Sequence, residues 1–239
     1  MTRLDGKVAI VTGSSSGIGK AIALKFAQEG AAVVLAARRL ELCEQVATQI
    51  RDRGGKAAAF RVDVTYETLV NELFDFTLSQ FGQLDILVNN AGVFGGGPIM
   101  RTGTAQFDRV VNTNLRGTFF CCRVGIQIMM KQRSGVIINM SSLAGVEAWA
   151  GTGAYSASKY GLMGLTTALG DEARAHGIKV CAICPAAVAH ELVDASDQEI
   201  LESQKINPFE IAETAVYLAT LGPHAIVRQI VIDRMGAEW

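Results

Sequence analysis

No apolar run in these 239 residues is long enough to cross a bilayer; the longest, such as Ala31 to Ala37, fall far short of the ~20 residues that a spanning helix needs. The opening stretch, Met1-Thr-Arg-Leu-Asp-Gly-Lys7, holds no apolar signal core, so a cytoplasmic protein is expected. Charge of one sign is also lacking. A formal net charge of -1, a pI near 6.3 and scattered Lys and Arg leave no footprint for nucleic acid or an acidic membrane. The five cysteines include Cys181-Ala-Ile-Cys184, but no second Cys pair or spaced His pair completes a zinc site. That pair sits in an apolar β-like run, which suits small buried hydrophobes, so no metal is expected. No composition shift, charge run, low-complexity tract or repeat marks a second domain. One domain over residues 1–239 is expected, with 49% hydrophobic residues to fill its core.

What the chain does contain is alternation. Short β-rich apolar runs (Lys7 to Thr12, Ala32 to Ala36, Ala57 to Val62, Leu84 to Val88, Val136 to Met140, Ile178 to Cys184) are separated by helical stretches. The helices are expected over Ile18 to Glu29, Leu40 to Arg53, Tyr66 to Gln80, a long one around Gln106 to Lys131, and Gly153 to Ala175. Pro223 to Asp233 reads as a last strand. The pattern predicts an α/β fold: a Rossmann-type, doubly wound parallel sheet of about seven strands with helices on both faces. Ligands then bind beyond the strands' carboxyl ends. The polar stretch within residues 186–208 is expected to form a mobile substrate flap.

Directly after the first strand comes Thr12-Gly-Ser-Ser-Ser-Gly-Ile-Gly19, followed by an amphipathic helix. Gly13 permits a tight turn, Gly17 lets backbone approach a pyrophosphate and Gly19 permits close helix packing. Ser15 and Ser16 add hydroxyls, and Ile18 begins the helix. The spacing is G-x-x-x-G-x-G rather than G-x-G-x-x-G, and the lysine of a P-loop is missing. A merely flexible loop need not carry three glycines between a strand and a helix. A second motif is Tyr155-Ser-Ala-Ser-Lys159, whose phenol and ammonium share one helix face. An ammonium beside a phenol favours the phenolate, which would permit proton exchange with an alcohol or carbonyl oxygen near neutrality. Such a pair also arises by chance, so its weight rests on what accompanies it.

The glycine turn, Asn89-Asn-Ala-Gly92 after a strand, Ser142 and Tyr155-x-x-x-Lys159 together resemble the short-chain dehydrogenase/reductase family over nearly the whole chain. The resemblance implies a nicotinamide-dependent oxidoreductase with Asn114, Ser142, Tyr155 and Lys159 as its catalytic set. It implies that Asn90, Ala91, Gly92, Asp63, Val64, Pro185 and Val188 contact the cofactor with the glycine turn, Tyr155 and Lys159. An NAD site would carry an acid at the end of the second strand; here Ala37 stands, followed by Arg38 and Arg39, which can pair with a 2′-phosphate. NADP(H) is therefore expected over NAD(H), although both arginines could simply solvate a helix start. The substrate is expected to be a small carbonyl or alcohol flanked by Phe94, Leu143, Trp149 and His190. Alternatives are a 3-oxoacyl thioester reductase and a nucleotide sensor on the same fold. The family also implies a homotetramer or homodimer. Two departures stand out: Pro185-Ala-Ala-Val-Ala-His190 replaces the family's Pro-Gly-x-Val-x-Thr, and the frequent Asp-Gly-Gly near the end is missing.

Overall fold

Strands rich in Val, Ile, Leu and Ala, buried on both faces, are what a central parallel sheet requires. The computed structural model describes residues 2–190, 193, 194, 196, 199 and 203–235. Its strands are β1 (Val8–Thr12), β2 (Ala32–Ala37), β3 (Lys56–Arg61), β4 (Ile86–Asn89), β5 (Gly135–Met140), β6 (Ile178–Pro185) and β7 (Gln229–Ile232). They form one parallel sheet in the order β3-β2-β1-β4-β5-β6-β7. Alternate side chains divide it into two cores. Val11, Leu35, Val88, Ile138 and Ile183 pack under α1 (Gly17–Gln28), α2 (Leu40–Asp52) and α7 (Pro208–Thr220). Ile10, Val34, Leu87, Ile137 and Val180 pack under α3 (Glu67–Phe81), α5 (Thr118–Gln132) and α6 (Gly153–Ala173).

Two expectations need correction. The long helix expected over Gln106 to Lys131 is α4 (Thr104–Val111), a π-helical turn (Asn112–Gly117) and α5. The turn widens where Asn114 and Gly117 are buried, the setting in which π-bulges are usually found. Pro208, taken as the end of the flap, instead opens α7. Asn207 caps that helix and Glu210 reaches back to the Asn207 N–H, a capping box with proline in the first turn. The earlier part of segment 186–208 is tied down. Ala186 N–H donates to Ile232 O (2.8 Å), Ala189 N–H to Ile206 O (3.0 Å) and Ile206 N–H to Ala187 O (3.0 Å). Its positions 191, 192, 195, 197, 198 and 200–202 lie outside the described residues.

Strand order reverses between β1 and β4, so their following loops diverge and leave a crevice at the carboxyl end. Both sequence motifs open onto that end of the sheet.

Candidate active site

The glycine turn is clamped to the loop after β4. Thr12 Oγ1 accepts from the N–H groups of Asn90 (3.0 Å) and Ala91 (3.1 Å), and Asn90 Nδ2 donates to the Thr12 and Gly13 carbonyls (3.0 and 3.2 Å). Gly13 adopts φ +68°, and a Cβ there would lie 2.8 Å from Ala91 Cα. At Gly19 a Cβ would collide with Asn90 Nδ2 and stand 2.5 Å from the Gly13 carbonyl oxygen. These contacts hold open a cleft of about 650 Å³ along Gly13, Ser15 to Ile18, Ala36 to Arg39, Val62 to Thr65 and Asn90 to Phe94. Its cradle, at the N-terminus of α1 where helical N–H groups lack partners, fits a dinucleotide diphosphate.

Arg38 is exposed and lines this cleft, while Arg39 turns back so that Nη2 donates to Ser15 Oγ and Ser16 Oγ, both at 2.8 Å. The two arginines thus have different surroundings, which their adjacency in sequence does not reveal. Asp63 accepts from the Thr65 backbone (3.0 Å) and hydroxyl (2.7 Å) through one oxygen, and Val64 is buried against Gly117. Arg109, Asn112 and Thr113 also line the cleft. Sequence reasoning passed over them; the only signal was their place within about one and a half helical turns before Asn114.

At the far end of the crevice, α6 carries Tyr155 and Lys159 beside the loop after β5. Lys159 is buried, and Nζ donates to Met140 O (2.8 Å) while lying 5.7 Å from the Tyr155 ring centroid. Burial pushes this lysine down to about 8. Expectation and structure differ over the phenol. Burial raises the Tyr155 phenol above its ordinary value, and the Ser142 hydroxyl draws it only partly back. Desolvation dominates the phenol's setting, and the partial offset comes from Ser142.

Ser142 begins a short 3₁₀ turn (Leu143–Gly145), and its Oγ accepts from Ala144 N–H (3.2 Å), leaving the hydroxyl proton for another partner. Its neighbour Ser141 is buried and leans toward the Lys159 carbonyl (3.4 Å), which separates the two serines' roles. Asn114 staples the π-turn to the loop after β4: Val93 N–H donates to Oδ1 (2.8 Å), while Nδ2 donates to Val93 O (3.0 Å) and Ser158 Oγ (3.1 Å). A Cβ on Gly92 would stand 3.3 Å from Asn114 Oδ1 and 3.8 Å from Lys159 Nζ, so both side chains approach one glycine that also lines the cleft.

Phe94 links the two ends. It lines the cleft, and its ring meets Tyr155 edge-on at 5.1 Å and 62°. Phe94 and Trp149 are largely exposed, Leu143 is buried, and Val188 is buried on the segment leaving β6 beyond Pro185. His190 lies against Gly17 at the glycine turn. All five cysteines are buried outside any disulfide, and no group of three or more metal-binding side chains occurs among the described residues. No helix among them is long and apolar enough to cross a membrane.

The sequence profile of the short chain dehydrogenase family matches residues 7–200. A 3-oxoacyl-[acyl-carrier-protein] reductase of Staphylococcus aureus is 36% identical over 223 residues, covering 90% of this chain and 91% of its own. A 3beta-hydroxysteroid dehydrogenase of Mediterraneibacter gnavus is 37% identical over 201 residues, covering 84% and 72%. Among solved structures, a metagenomic short-chain oxidoreductase in complex with NADP superposes with a TM-score of 0.85 at 35% identity, over 98% of this chain and 99% of the other.

Proposed function

This chain is an oxidoreductase of the short-chain dehydrogenase/reductase family, and on that premise we propose that it interconverts a ketone or aldehyde and its alcohol with NADP(H). The observation that carries this reading is the continuity from the glycine cradle, through Gly92 and Phe94, to Tyr155 and Lys159. When bound, the nicotinamide supplies or accepts the hydride at the carbonyl carbon. Every other element is the protein's. Tyr155, a phenol that burial raises further above its ordinary value, gives its proton to the substrate oxygen during reduction and takes it back during oxidation. Ser142, whose hydroxyl also meets the Tyr155 phenol, directs its proton at the same oxygen as charge develops there. Lys159 uses one N–H on Met140 and keeps the others for the cofactor ribose. Asn114 holds the loop after β4 in place beside Lys159.

By their names the relatives act on chemically different compounds, a ketone in the 3-oxoacyl reductase and a secondary alcohol in the 3β-hydroxysteroid dehydrogenase, which supports the reaction type over any one substrate. The thioester remains the second reading because that relative spans nine-tenths of both chains. A screen of ketones, aldehydes and secondary alcohols with both nicotinamides, followed by cofactor absorbance, tests the proposal. No turnover across the panel together with tight NADPH binding would leave a sensor instead.

Cofactor choice rests on Arg38, the exposed cation at the cleft beyond β2, where an acid would repel a 2′-phosphate. Arg38→Ala is expected to raise the Michaelis constant for NADPH by roughly tenfold and leave that for NADH nearly unchanged. Equal effects on both nicotinamides would refute the assignment. The protein is also proposed to be a homotetramer or homodimer. Phe107, Phe119 and Tyr160 stand exposed on α4, α5 and α6, as helices awaiting a second copy would present them. Light scattering should return two or four times the mass of one chain; a monomer mass would exclude it.

A further inference from the structure

We propose that Arg109 is a base-stacking residue of the cleft, its guanidinium lying over the adenine ring, an inference that rests on the cleft taking a dinucleotide. Where the two halves of that ligand lie follows from the walls. With the diphosphate at the N-terminus of α1, one half extends past Gly92 and Phe94 to Tyr155, and the other past Ala37 and Arg38 toward Val62 to Thr65. The second half is the adenosine, because the hydride-bearing half must reach the proton donor. Ala36, Ala37, Val62 and Val64, all buried, give it an apolar bed suited to a flat ring.

The opposite wall comes from α4. Arg109, Asn112 and Thr113 line the cleft together, and their spacing of three and four residues sets them on one helix face. That face is fixed where the π-turn beyond it meets the loop after β3: a Cβ on Gly117 would stand 2.7 Å from Val64 Cγ2. Exposure falls from Arg109 through the partly buried Asn112 and Thr113 to the buried Asn114, so the arginine stands at the cleft's outer edge. No hydrogen bond or ion pair engages its guanidinium among the described residues. Its helical neighbours three and four positions away, Ala105, Gln106, Asn112 and Thr113, include no acid, and Gln106 already donates to Gly96 O (3.1 Å). Asp63, the one carboxylate among the described residues lining the cleft, accepts two bonds from Thr65 through one oxygen. Phe107, exposed on the same helix, stands two residues earlier and about 200° around it, so pairing of subunits there leaves Arg109 in the cleft. A planar, weakly hydrated guanidinium in that position stacks on an aromatic face, while Arg38 on the β2 wall meets the 2′-phosphate.

Titration calorimetry of the full chain with NADP⁺ and with NAD⁺ tests this, alongside competition by inorganic pyrophosphate, which carries the diphosphate charge without a base. Arg109→Ala is expected to raise the dissociation constants for NADP⁺ and NAD⁺ alike by about fivefold, the scale of a partly exposed cation–π contact. The inhibition constant of pyrophosphate should match that of the wild type. Combined with Arg38→Ala, the two losses for NADP⁺ should multiply, since the side chains hold different parts of the ligand. A loss confined to NADP⁺ would put Arg109 on the 2′-phosphate, an equal loss for pyrophosphate would make it a general attraction for anions, and no loss would leave it a solvated surface charge. Each of these would overturn the proposal. Binding of neither dinucleotide by the wild type would instead overturn the dinucleotide reading beneath it. Circular dichroism and a melting curve confirm that the exposed substitution leaves the fold intact.

Discussion

Tyr155→Phe should lower turnover by roughly 10²–10⁴-fold, the range typical of a lost general acid, while leaving NADPH affinity within about twofold of wild type. The phenol is mostly buried and raised above its ordinary value, Lys159 is committed to Met140, and Ser142 beside it is an alcohol too weakly acidic to replace it. Phenylalanine keeps the ring that Phe94 packs against, so the substitution removes the proton and little else. Stopped-flow hydride transfer and fluorescence titration of NADPH separate the two quantities. Near wild-type turnover in the variant would remove Tyr155 from the mechanism. Reduction by the wild type should also decline as pH rises through about 8, where the desolvated Lys159 gives up its proton and its hold on the cofactor ribose weakens.

Gly19→Ala should weaken NADPH binding by roughly 10- to 100-fold, because the added carbon collides with atoms that have nowhere to go. Asn90 Nδ2 is fixed by the Thr12 and Gly13 carbonyls, and the second atom in the way, 2.5 Å off, is the Gly13 carbonyl oxygen itself. Relief requires moving the turn or the loop after β4, the two walls of the cradle. Gly222→Ala is the control: a Cβ there meets nothing within 4 Å and should leave affinity unchanged. Fluorescence titration and a melting curve measure both variants. Wild-type affinity in Gly19→Ala would mean that the cradle is not where the diphosphate sits.

Much of the architecture was legible because it depends on local periodicity. Short apolar β-rich runs between helical stretches mark the strands, and the carboxyl-terminal position of the glycine turn follows from strand, turn and helix in succession. The signals for α7 were equally local, since Asn207, Pro208 and Glu210 spell a helix start, but the polar run before them drew the boundary one residue too late. The π-turn was not legible. Nothing in Gln106 to Lys131 departs from helical spacing; the widening accompanies contacts of Asn114 with Val93 and Ser158, 21 residues before it and 44 after.

For this protein, then, the sequence alone determined the sheet and most of its helices, the glycine turn between β1 and α1, and the presence of a phenol and an ammonium on one helix face. Those properties depend on residues a turn or a strand apart. Tertiary structure decided that β1 and β4 diverge to open the cleft, that Phe94 meets Tyr155, and that Arg39 turns to the serines while Arg38 faces the cleft. It also decided that burial lifts the phenol above its ordinary value and that His190 lies over Gly17. Each of these depends on desolvation or on contact between segments far apart in the chain, which spacing along the chain does not encode.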